Sequence, residues 1–249
     1  MKFVVLAAIL FLGFAATAQT TNGLSAAEIQ GRQLASEILS EMPATNLAQT
    51  GVLRIHNSEG TTSIPITFTT DIGQGTWRVI YDATIGGNTG TWESLMIVHQ
   101  IGQPNQYLYF SGNAGVPVRG PMKTLNQTQI MAPFAGSDFW IADLGLEFFH
   151  WPEQIITGHE TRRTRNCIVL ESDNPNPASG YSRVVTWIDR ETFAIIYAEA
   201  YDTNEKLLKI FDPKKAKKVN GQWELEDIEI QNAQTHSHTR IRFDLNAGS

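Results

Sequence analysis

Cysteine is almost absent from this sequence. Cys167 is the single cysteine among 249 residues, so the chain has no second thiol with which to form an internal disulfide. It lies in the run Asn-Cys-Ile-Val-Leu-Glu at 166–171, which has the composition of a strand, and we expect it to be a small buried apolar side chain. No cysteine follows the amino-terminal apolar segment directly, which argues against a lipid anchor at that end.

Sequence patterns typical of catalysis are also missing. Residues 136–138 do not complete the G-x-S-x-G pattern of a nucleophile elbow, and the glycines at 86–87 do not lead into the G-K-[ST] of a phosphate-binding loop. His159 precedes a glutamate but lacks the second histidine of H-E-x-x-H. We therefore predict no catalytic residue, no cofactor and no enzymatic activity, and a hydrolase is the least favoured alternative.

The histidines do not form a promising metal site either. His236 and His238 are two residues apart, so they share one face of a strand, but Arg240 and Arg242 fall on that same face and would repel a cation. We expect this to be the solvated face and predict no bound metal. The formal net charge of the chain is −6, which makes a nucleic-acid partner unlikely on electrostatic grounds.

Only the amino terminus contains a long hydrophobic run. Lys2 precedes the apolar segment 3–14, which is too short for a stable membrane span, and Ala16-Thr17-Ala18 has the small residues of a cleavage site. This pattern predicts a secretory signal peptide at residues 1–18, cleaved after Ala18. Residues 19–249 then form a single exported domain with enough chain to bury its own core.

One amphipathic helix is predicted at residues 24–42. Ser25 and Glu28 have the spacing of a capping box, and Pro43 ends the helical pattern. Apolar residues recur along one side at helical spacing, among them Leu34, Ile38 and Met42. Such a helix needs an apolar surface on which to lie.

From residue 51 onward the hydrophobic pattern has a period of two. Short strands alternate with turn residues, and Asn220-Gly221 is the strongest hairpin signal in the chain. The pattern indicates about ten or eleven antiparallel strands joined in a meander. The predicted fold class is α+β, mainly β, with the helix set against an open face of the sheet.

The segment Gly136–Trp151 interrupts this pattern with a dense group of aromatic rings. Phe139, Trp140, Phe148 and Phe149 belong to it, and we expect a short helix that is capped by Ser137 or Asp138. Two interpretations remain open: the rings fill one end of a core, or they line and gate a cavity.

A basic cluster follows near the carboxyl terminus. It contains Lys214, Lys215, Lys217 and Lys218. A solvated turn between strands is the simpler interpretation, and contact with an anionic membrane surface or an acidic partner is the alternative.

Three runs of the sequence contain distinctive motifs in a fixed order. The stretch 187–211 reads W-I-D-R-E-T-F-A-I-I-Y-A-E-A-Y-D-T-N-E-K-L-L-K-I-F, and the next hairpin reads K-V-N-G-Q-W-E from Lys218, followed by D-I-E-I-Q-N from Asp227. Upstream of both, Gly-Ser-Asp-Phe at 136–139 is followed by Asp-Leu at 143–144. In order and spacing these runs resemble elements of the outer-membrane lipoprotein-sorting proteins, the LolA-like family.

The resemblance implies an unclosed, half-open antiparallel β-barrel whose concave apolar face is covered by helices. It implies a periplasmic carrier or chaperone that shields acyl chains of lipoproteins or lipids on the way to the outer membrane. Its partners would be the acylated lipoprotein or lipid and membrane-bound donor and acceptor proteins, with the carrier itself a monomer. An exported sensor or structural module that binds a protein partner is the alternative from another class.

The predicted cavity and its cover are formed by apolar side chains from the helix, the early strands and the aromatic segment. These residues are Ile29, Leu34, Ile38, Met42, Phe68, Trp77, Phe110, Phe139, Trp140, Phe148, Phe149 and Trp151.

Overall fold

A computed structural model describes residues 23–87, 90–113, 120–177, 180–219 and 222–245, with side chains except at 218, 219 and 222–224. The predicted signal peptide at 1–18 and the Asn220-Gly221 turn lie outside the described residues, as do the side chains of Lys218 and Trp223. In the described part of the chain, no helix combines the length and the apolar composition that crossing a membrane requires.

Helix α1 spans Ala26–Ser40 and begins as predicted. The Ser25 hydroxyl accepts a hydrogen bond from the Glu28 backbone N–H at 3.2 Å, and the Glu28 carboxylate accepts one from the Ser25 backbone N–H at 2.7 Å. These two bonds satisfy donors that the first helical turn cannot pair internally. The buried side of α1 consists of Gly31, Leu34 and Ala35.

In the described ranges, thirteen strands form one antiparallel sheet, more than the ten or eleven predicted. Their bounds are β1 Leu47–Asn57, β2 Gly60–Ile72, β3 Thr76–Ile85, β4 Thr91–Gln100, β5 Gln106–Asn113, β6 Lys123–Leu125, β7 Glu153–Arg162, β8 Arg165–Asp173, β9 Tyr181–Asp189, β10 Ile195–Asp202, β11 Leu207–Val219, β12 Gln222–Asn232 and β13 His238–Phe243. The sheet order is β6-β5-β4-β3-β2-β1-β13-β12-β11-β10-β9-β8-β7. Strands β6 and β7 are its two edges, so the barrel is unclosed, as predicted.

The basic cluster lies inside a strand, so the prediction of a turn there is wrong. Lys214, Lys215 and Lys217 belong to β11, and Pro213 precedes them. The register of β11 against β12 shifts on both sides of Lys215. Proline donates no hydrogen bond to a ladder and is tolerated at bulges, which agrees with the irregular register at this point of the strand.

Alternation along β13 agrees with the prediction of a solvated histidine and arginine face. Thr239, Ile241 and Phe243 are buried, whereas Arg240 and Arg242 are exposed. The inward side chains pack in the concave interior, and the cations lie on the convex outer face.

The aromatic segment lies inside the curve of the sheet as two short helical turns. Helix α2 spans Ile141–Leu144, and a 3₁₀ helix spans Glu147–His150. We refer to residues 136–151 as the insert. Its backbone is held by bonds from the Ile141 N–H to the Ala132 carbonyl at 3.0 Å and from the Ala142 N–H to the Ile130 carbonyl at 2.9 Å.

The predicted cap of this short helix is wrong. Trp140 occupies the cap position, and its backbone N–H donates to the Asp143 carboxylate at 2.7 Å. Asp138 instead accepts hydrogen bonds from the hydroxyls of Ser237 and Thr239. Asp138, which the local sequence suggested as a cap, therefore forms its hydrogen bonds with β13 and the residue before it.

Two apolar clusters fill the interior. The first cluster lies under β1–β5 and β12–β13 and includes Leu53, Ile64, Leu95, Phe134, Phe139, Ile230 and Ile241. The second cluster lies under β8–β10 and α1 and includes Leu34, Phe148, Phe149, Trp151, Leu170, Tyr181, Ala198 and Ala200. The insert contributes to both, so it joins the two halves of the interior. Cys167 is buried in a separate group on the outer face, with Val169 and Trp187.

Candidate ligand-binding interior

An apolar cavity of about 20 Å³ lies between the insert and the sheet. Leu146 and Phe148 cover it, while Val184, Ala198 and Ala200 belong to its floor. Two alanines on adjacent inward positions of β10 leave space that larger side chains would occupy. A volume of this size holds about one water-sized group, so the interior is closed in this conformation.

A buried ion pair lies at the wall of this cavity. Lys209 projects from β11, is 1% exposed, and places its ammonium 3.4 Å from a carboxylate oxygen of Asp143 in α2. The same ammonium lies 3.6 Å from the centroid of the Trp140 ring. The pair thus ties the insert to the sheet through charge and through the face of an aromatic ring.

Asp143 is held by further donors. Its other carboxylate oxygen accepts a hydrogen bond from the Tyr181 hydroxyl at 2.8 Å. The Tyr181 ring stacks on that of Trp140, with 4.6 Å between centroids. Burial raises the pKa of Tyr181 well above its usual value, and the neighbouring Asp143 charge adds to this shift, so the hydroxyl stays protonated and donates.

Burial also changes the basicity of Lys209. Removal of the ammonium from water lowers its pKa from 10.5 to about 8, although the nearby Asp143 charge opposes the shift. The charged lysine is therefore retained at neutral pH at a cost in stability, because desolvation outweighs the attraction to its partner.

A second buried network holds the other end of the insert. Glu147 is 2% exposed, and it accepts hydrogen bonds from the Tyr107 hydroxyl at 2.8 Å and from the Gln127 amide at 2.7 Å. Burial raises the pKa of this carboxyl, although both hydrogen bonds act in the opposite direction. Gly145 packs directly against Tyr107: a Cβ there would meet the phenol oxygen at 2.2 Å.

Helix α1 and the 3₁₀ helix are fastened to β7. The buried Gln154 side chain donates to the Phe148 carbonyl at 2.8 Å and to the Trp151 carbonyl at 2.9 Å. Gly31 in α1 approaches the Gln154 backbone so closely that a Cβ would lie 2.4 Å from its carbonyl oxygen. Only glycine permits the helix to lie this near the edge strand.

An open cleft of about 370 Å³ adjoins this cover. It lies between α1, the β4–β5 turn and the end of the insert, and its lining includes Arg32, Trp77, His99, Phe149 and Trp151. His99 stacks on Trp77 with 4.9 Å between ring centroids. Burial lowers the pKa of His99 to about 4, so this imidazole is neutral at physiological pH.

The cleft and the cavity are separated by two adjacent rings. Phe149 lines the cleft, Phe148 lines the cavity, and their centroids are 4.5 Å apart. The two rings therefore bring the lining of the cavity and the lining of the cleft into contact.

Most of the predicted site residues lie in or around this interior. Leu34, Phe139, Phe148, Phe149 and Trp151 are buried in the two clusters. Ile38 and Trp140 pack against the second cluster, and Phe68 packs against the first. Trp77 lines the cleft, and Met42 is half-buried just after α1.

Two predicted residues do not belong to the interior. Ile29 is 54% exposed because it lies on the side of α1 that faces away from the second cluster. Phe110 lies on the opposite face of β5 from Tyr107 and Tyr109, and its ring meets that of Trp92 with 5.4 Å between centroids. Their placement in the cover and cavity is therefore corrected.

The polar residues of the interior were missed by reasoning from the sequence. Lys209 follows two leucines in an apolar strand and has the same parity as Phe211, which packs on both clusters. That parity was a signal that Lys209 points inward. Within the described ranges, no three His, Cys, Asp or Glu side chains lie together as a metal site would require.

The unclosed antiparallel sheet, with helix α1 and the insert against its apolar concave face, defines a half-open β-barrel. A protein-family model described as "Uncharacterized protein" matches residues 92–246, more than half of the chain, and the chain belongs to that family. Among curated proteins, none matches this chain.

Solved structures show the same fold. A putative outer membrane lipoprotein-sorting protein domain from Vibrio parahaemolyticus aligns with a TM-score of 0.71 and 17% identity, over 89% of this chain and 94% of that one. A DUF1329 family protein from Desulfovibrio piger ATCC 29098 aligns with a TM-score of 0.69 and 16% identity, over 90% and 95% of the respective chains.

A LolA superfamily protein from Nitrosomonas europaea aligns with a TM-score of 0.59 and 13% identity, over 88% of this chain and 92% of that one. The fold of this chain is LolA-like, and the resemblance noted in the sequence is confirmed at the level of the fold.

Proposed function

We propose that this protein is a periplasmic carrier that binds acyl chains of lipoproteins or lipids between its sheet and its insert. The observation that supports the proposal is the apolar cavity between the insert and the sheet, whose lining ring Phe148 contacts Phe149 in the lining of an open cleft. Each methylene moved from water into such an interior contributes about 0.8 kcal/mol.

Binding requires the closed interior to open. A cavity of about 20 Å³ has no room for an acyl chain. We infer that Phe148 and Phe149 move aside, and that α1 and the insert separate from the floor formed by Val184, Ala198 and Ala200. The chain would then extend from the cleft into the second cluster and place its polar end near Arg32 and the neutral His99.

The rest of the proposal rests on the sequence pattern of the amino terminus and on the similarity to LolA-like structures. Residues 19–249 act as one exported unit after cleavage behind Ala18, without a catalytic role or a cofactor. A monomer would receive its acylated cargo from a membrane-bound donor and release it to an acceptor.

Filling the cavity tests this proposal. The protein, purified without detergent, is titrated with a fluorescent acyl-chain probe, and its organic extract is analysed by mass spectrometry for acylated material. Ala198→Leu replaces a methyl group at the floor by an isobutyl group and should reduce probe affinity about tenfold or more, since the larger side chain occupies the space that the acyl chain needs. Ala48→Leu, on an exposed position of β1, is the matched control and should bind like the unaltered protein.

Removal of the Phe148 ring should increase the rate of probe uptake. Phe148→Ala joins the cleft to the cavity and should accelerate uptake of the probe. Absence of uptake by both the unaltered protein and Phe148→Ala, together with an extract free of acylated material, would exclude the carrier function.

A further inference from the structure

The convex face of the sheet carries a concentration of positive charge that the proposed carrier function does not use. The charge lies where β1 and β13 meet and comes from Arg54 on β1 and from Arg240 and Arg242 on β13, with His56 and His238 beside them. We call these five residues the convex patch. The whole chain has a net charge of −6, so the patch opposes the overall charge of the protein.

The register of β1 against β13 places arginine opposite arginine and histidine opposite histidine. Arg54 is directly opposite Arg240, and His56 is directly opposite His238, with 4.9 Å between the imidazole centroids. Like charges directly opposite on one face of an antiparallel pair destabilise a sheet. The juxtaposition of Arg54 and Arg240 therefore costs the sheet some stability, and the pairing of Arg240 with Asp227 offsets part of this cost.

Only one arginine of the patch is paired by the protein itself. Arg240 donates from Nε and from a terminal nitrogen to the two oxygens of Asp227, at 2.5 and 2.6 Å, and Asp227 is 3% exposed. Among the described residues, Arg54 and Arg242 have no ion-pair partner. A buried carboxylate thus fixes the orientation of one guanidinium while two others stay available.

Two adjoining hollows lie over the patch. One, of about 280 Å³, is lined by Arg54, His56, His238 and Arg240, with Thr61 and Glu229 at its border. The other, of about 400 Å³, is lined by Arg54, Arg240, Arg242 and Lys215, with Val52 and Asp227. Glu229 and Asp227 are already paired with Lys214 and Arg240, and Lys215 is paired with Glu226. Within the described part of the chain, Arg54 and Arg242 are therefore the two arginines of the patch that form no ion pair with a carboxylate.

We propose that the convex patch is a binding site for a phosphate group, with Arg54, Arg240 and Arg242 as its ligands. Planar guanidinium groups match the oxygens of phosphate and form short, charge-assisted hydrogen bonds with them. Arg240, oriented by Asp227, donates from its remaining N–H groups, and the histidines add donors at one side. The phosphate belongs either to a lipid headgroup or to a free phosphate ion, since both present the same oxygens.

The site lies on the outer surface, on the opposite face of the sheet from the acyl-chain cavity. The two sites are therefore independent: cargo in the interior does not occupy the patch. A phosphate on a membrane lipid would bring the protein to the bilayer surface with its convex side against the headgroups.

The test compares two phosphate sources on the mature protein. Vesicles of phosphatidylcholine alone and vesicles with about one third phosphatidic acid are co-sedimented with the protein at low salt, where surface charge is least screened. In parallel, inorganic phosphate is titrated by calorimetry. The variants are Arg54→Gln with Arg242→Gln, and the control is Arg78→Gln, which removes an exposed arginine from the neighbouring region of the sheet, on β3.

We expect the double variant to lose about tenfold or more in binding to phosphatidic acid vesicles, to phosphate or to both, while Arg78→Gln binds like the unaltered protein. Loss with vesicles alone identifies a lipid headgroup as the source, and loss with both probes identifies phosphate itself. Arg54→Lys should retain part of the affinity, because it keeps the charge but not the planar fork.

Equal binding by the double variant and by Arg78→Gln, or no binding of either probe by the unaltered protein, would overturn the proposal. The three altered arginines are exposed, so circular dichroism melting curves should coincide and exclude unfolding as the cause of any loss. None of these outcomes depends on acyl-chain uptake, which tests the carrier function separately.

Discussion

The two halves of the interior differ in how they are filled. The first cluster combines large aliphatic and aromatic side chains such as Leu95, Ile97 and Phe139, each at most 2% exposed. The second cluster has alanines at 198 and 200, a cavity above them, and the charged Lys209 at its wall. We infer that the densely packed first cluster contributes most to the stability of the fold. The second cluster, with its cavity and buried charge, is the part of the interior that we expect to change conformation more readily.

The largest effect is expected from a truncation in the first cluster. Phe139→Ala removes a fully buried ring and should lower the free energy of unfolding by about 3–5 kcal/mol. Phe148→Ala should cost less, because the Phe148 ring already borders a cavity and loses fewer contacts. Chemical denaturation of both variants gives the comparison, and a larger loss for Phe148→Ala would contradict the distinction between the two halves.

Lys209 should make stability depend on pH in the second cluster. Its pKa is about 8 in the folded chain and 10.5 as an ordinary lysine, so between these values the unfolded chain binds more protons and the free energy of unfolding rises with pH. The full shift corresponds to about 3 kcal/mol. Below pH 8 both states hold the proton, and the cost of the buried charge is fully present.

The measurement is denaturation from pH 7 to 10 for the unaltered protein and for Lys209→Met. The difference between the two curves isolates this lysine from the tyrosines that titrate at higher pH. Lys206→Met, an exposed lysine near the start of the same strand, is the control and should leave the slope unchanged. Parallel curves for the unaltered protein and Lys209→Met would refute the role assigned to the buried ammonium.

An intermediate effect is expected where α1 meets β7. Gly31→Ala forces the helix away from the Gln154 carbonyl and should cost about 1–3 kcal/mol despite the better helix propensity of alanine. It should also loosen the cover of the second cluster, which hydrogen exchange at β7 would detect. Ser36→Ala, exposed on the same helix, serves as control.

The smallest effect is expected on the exposed side of α1, and a substitution on the buried side of the same helix gives the contrast. Ile29→Ser should change stability by less than about 0.5 kcal/mol, because Ile29 is 54% exposed. Leu34→Ala, at a side chain only 4% exposed, should cost about 2–5 kcal/mol. Thermal melting of the pair checks the orientation of the helix on the sheet, and similar losses would show that the assigned buried face is wrong.

Local patterns predicted the elements that depend on neighbouring residues. The capping box of Ser25 and Glu28, the solvated parity of Arg240 and Arg242, and the burial of Cys167 are all confirmed. Strand β6 was missed because three residues are too few to show a period. Asp138 was misassigned because its partners, Ser237 and Thr239, are about a hundred residues away in sequence.

The insert Gly136–Trp151 has some features that its sequence determined and others that depended on the tertiary structure. Its composition alone determined that it would be irregular and buried, because so many rings cannot remain in water. Which rings pack in the first cluster, which border the cavity, and which meet the buried charge of Lys209 depended on distant strands. Asp143 and Lys209 are 66 positions apart and Asp138 and Thr239 are 101 positions apart, and only the curvature of the unclosed sheet brings such residues together.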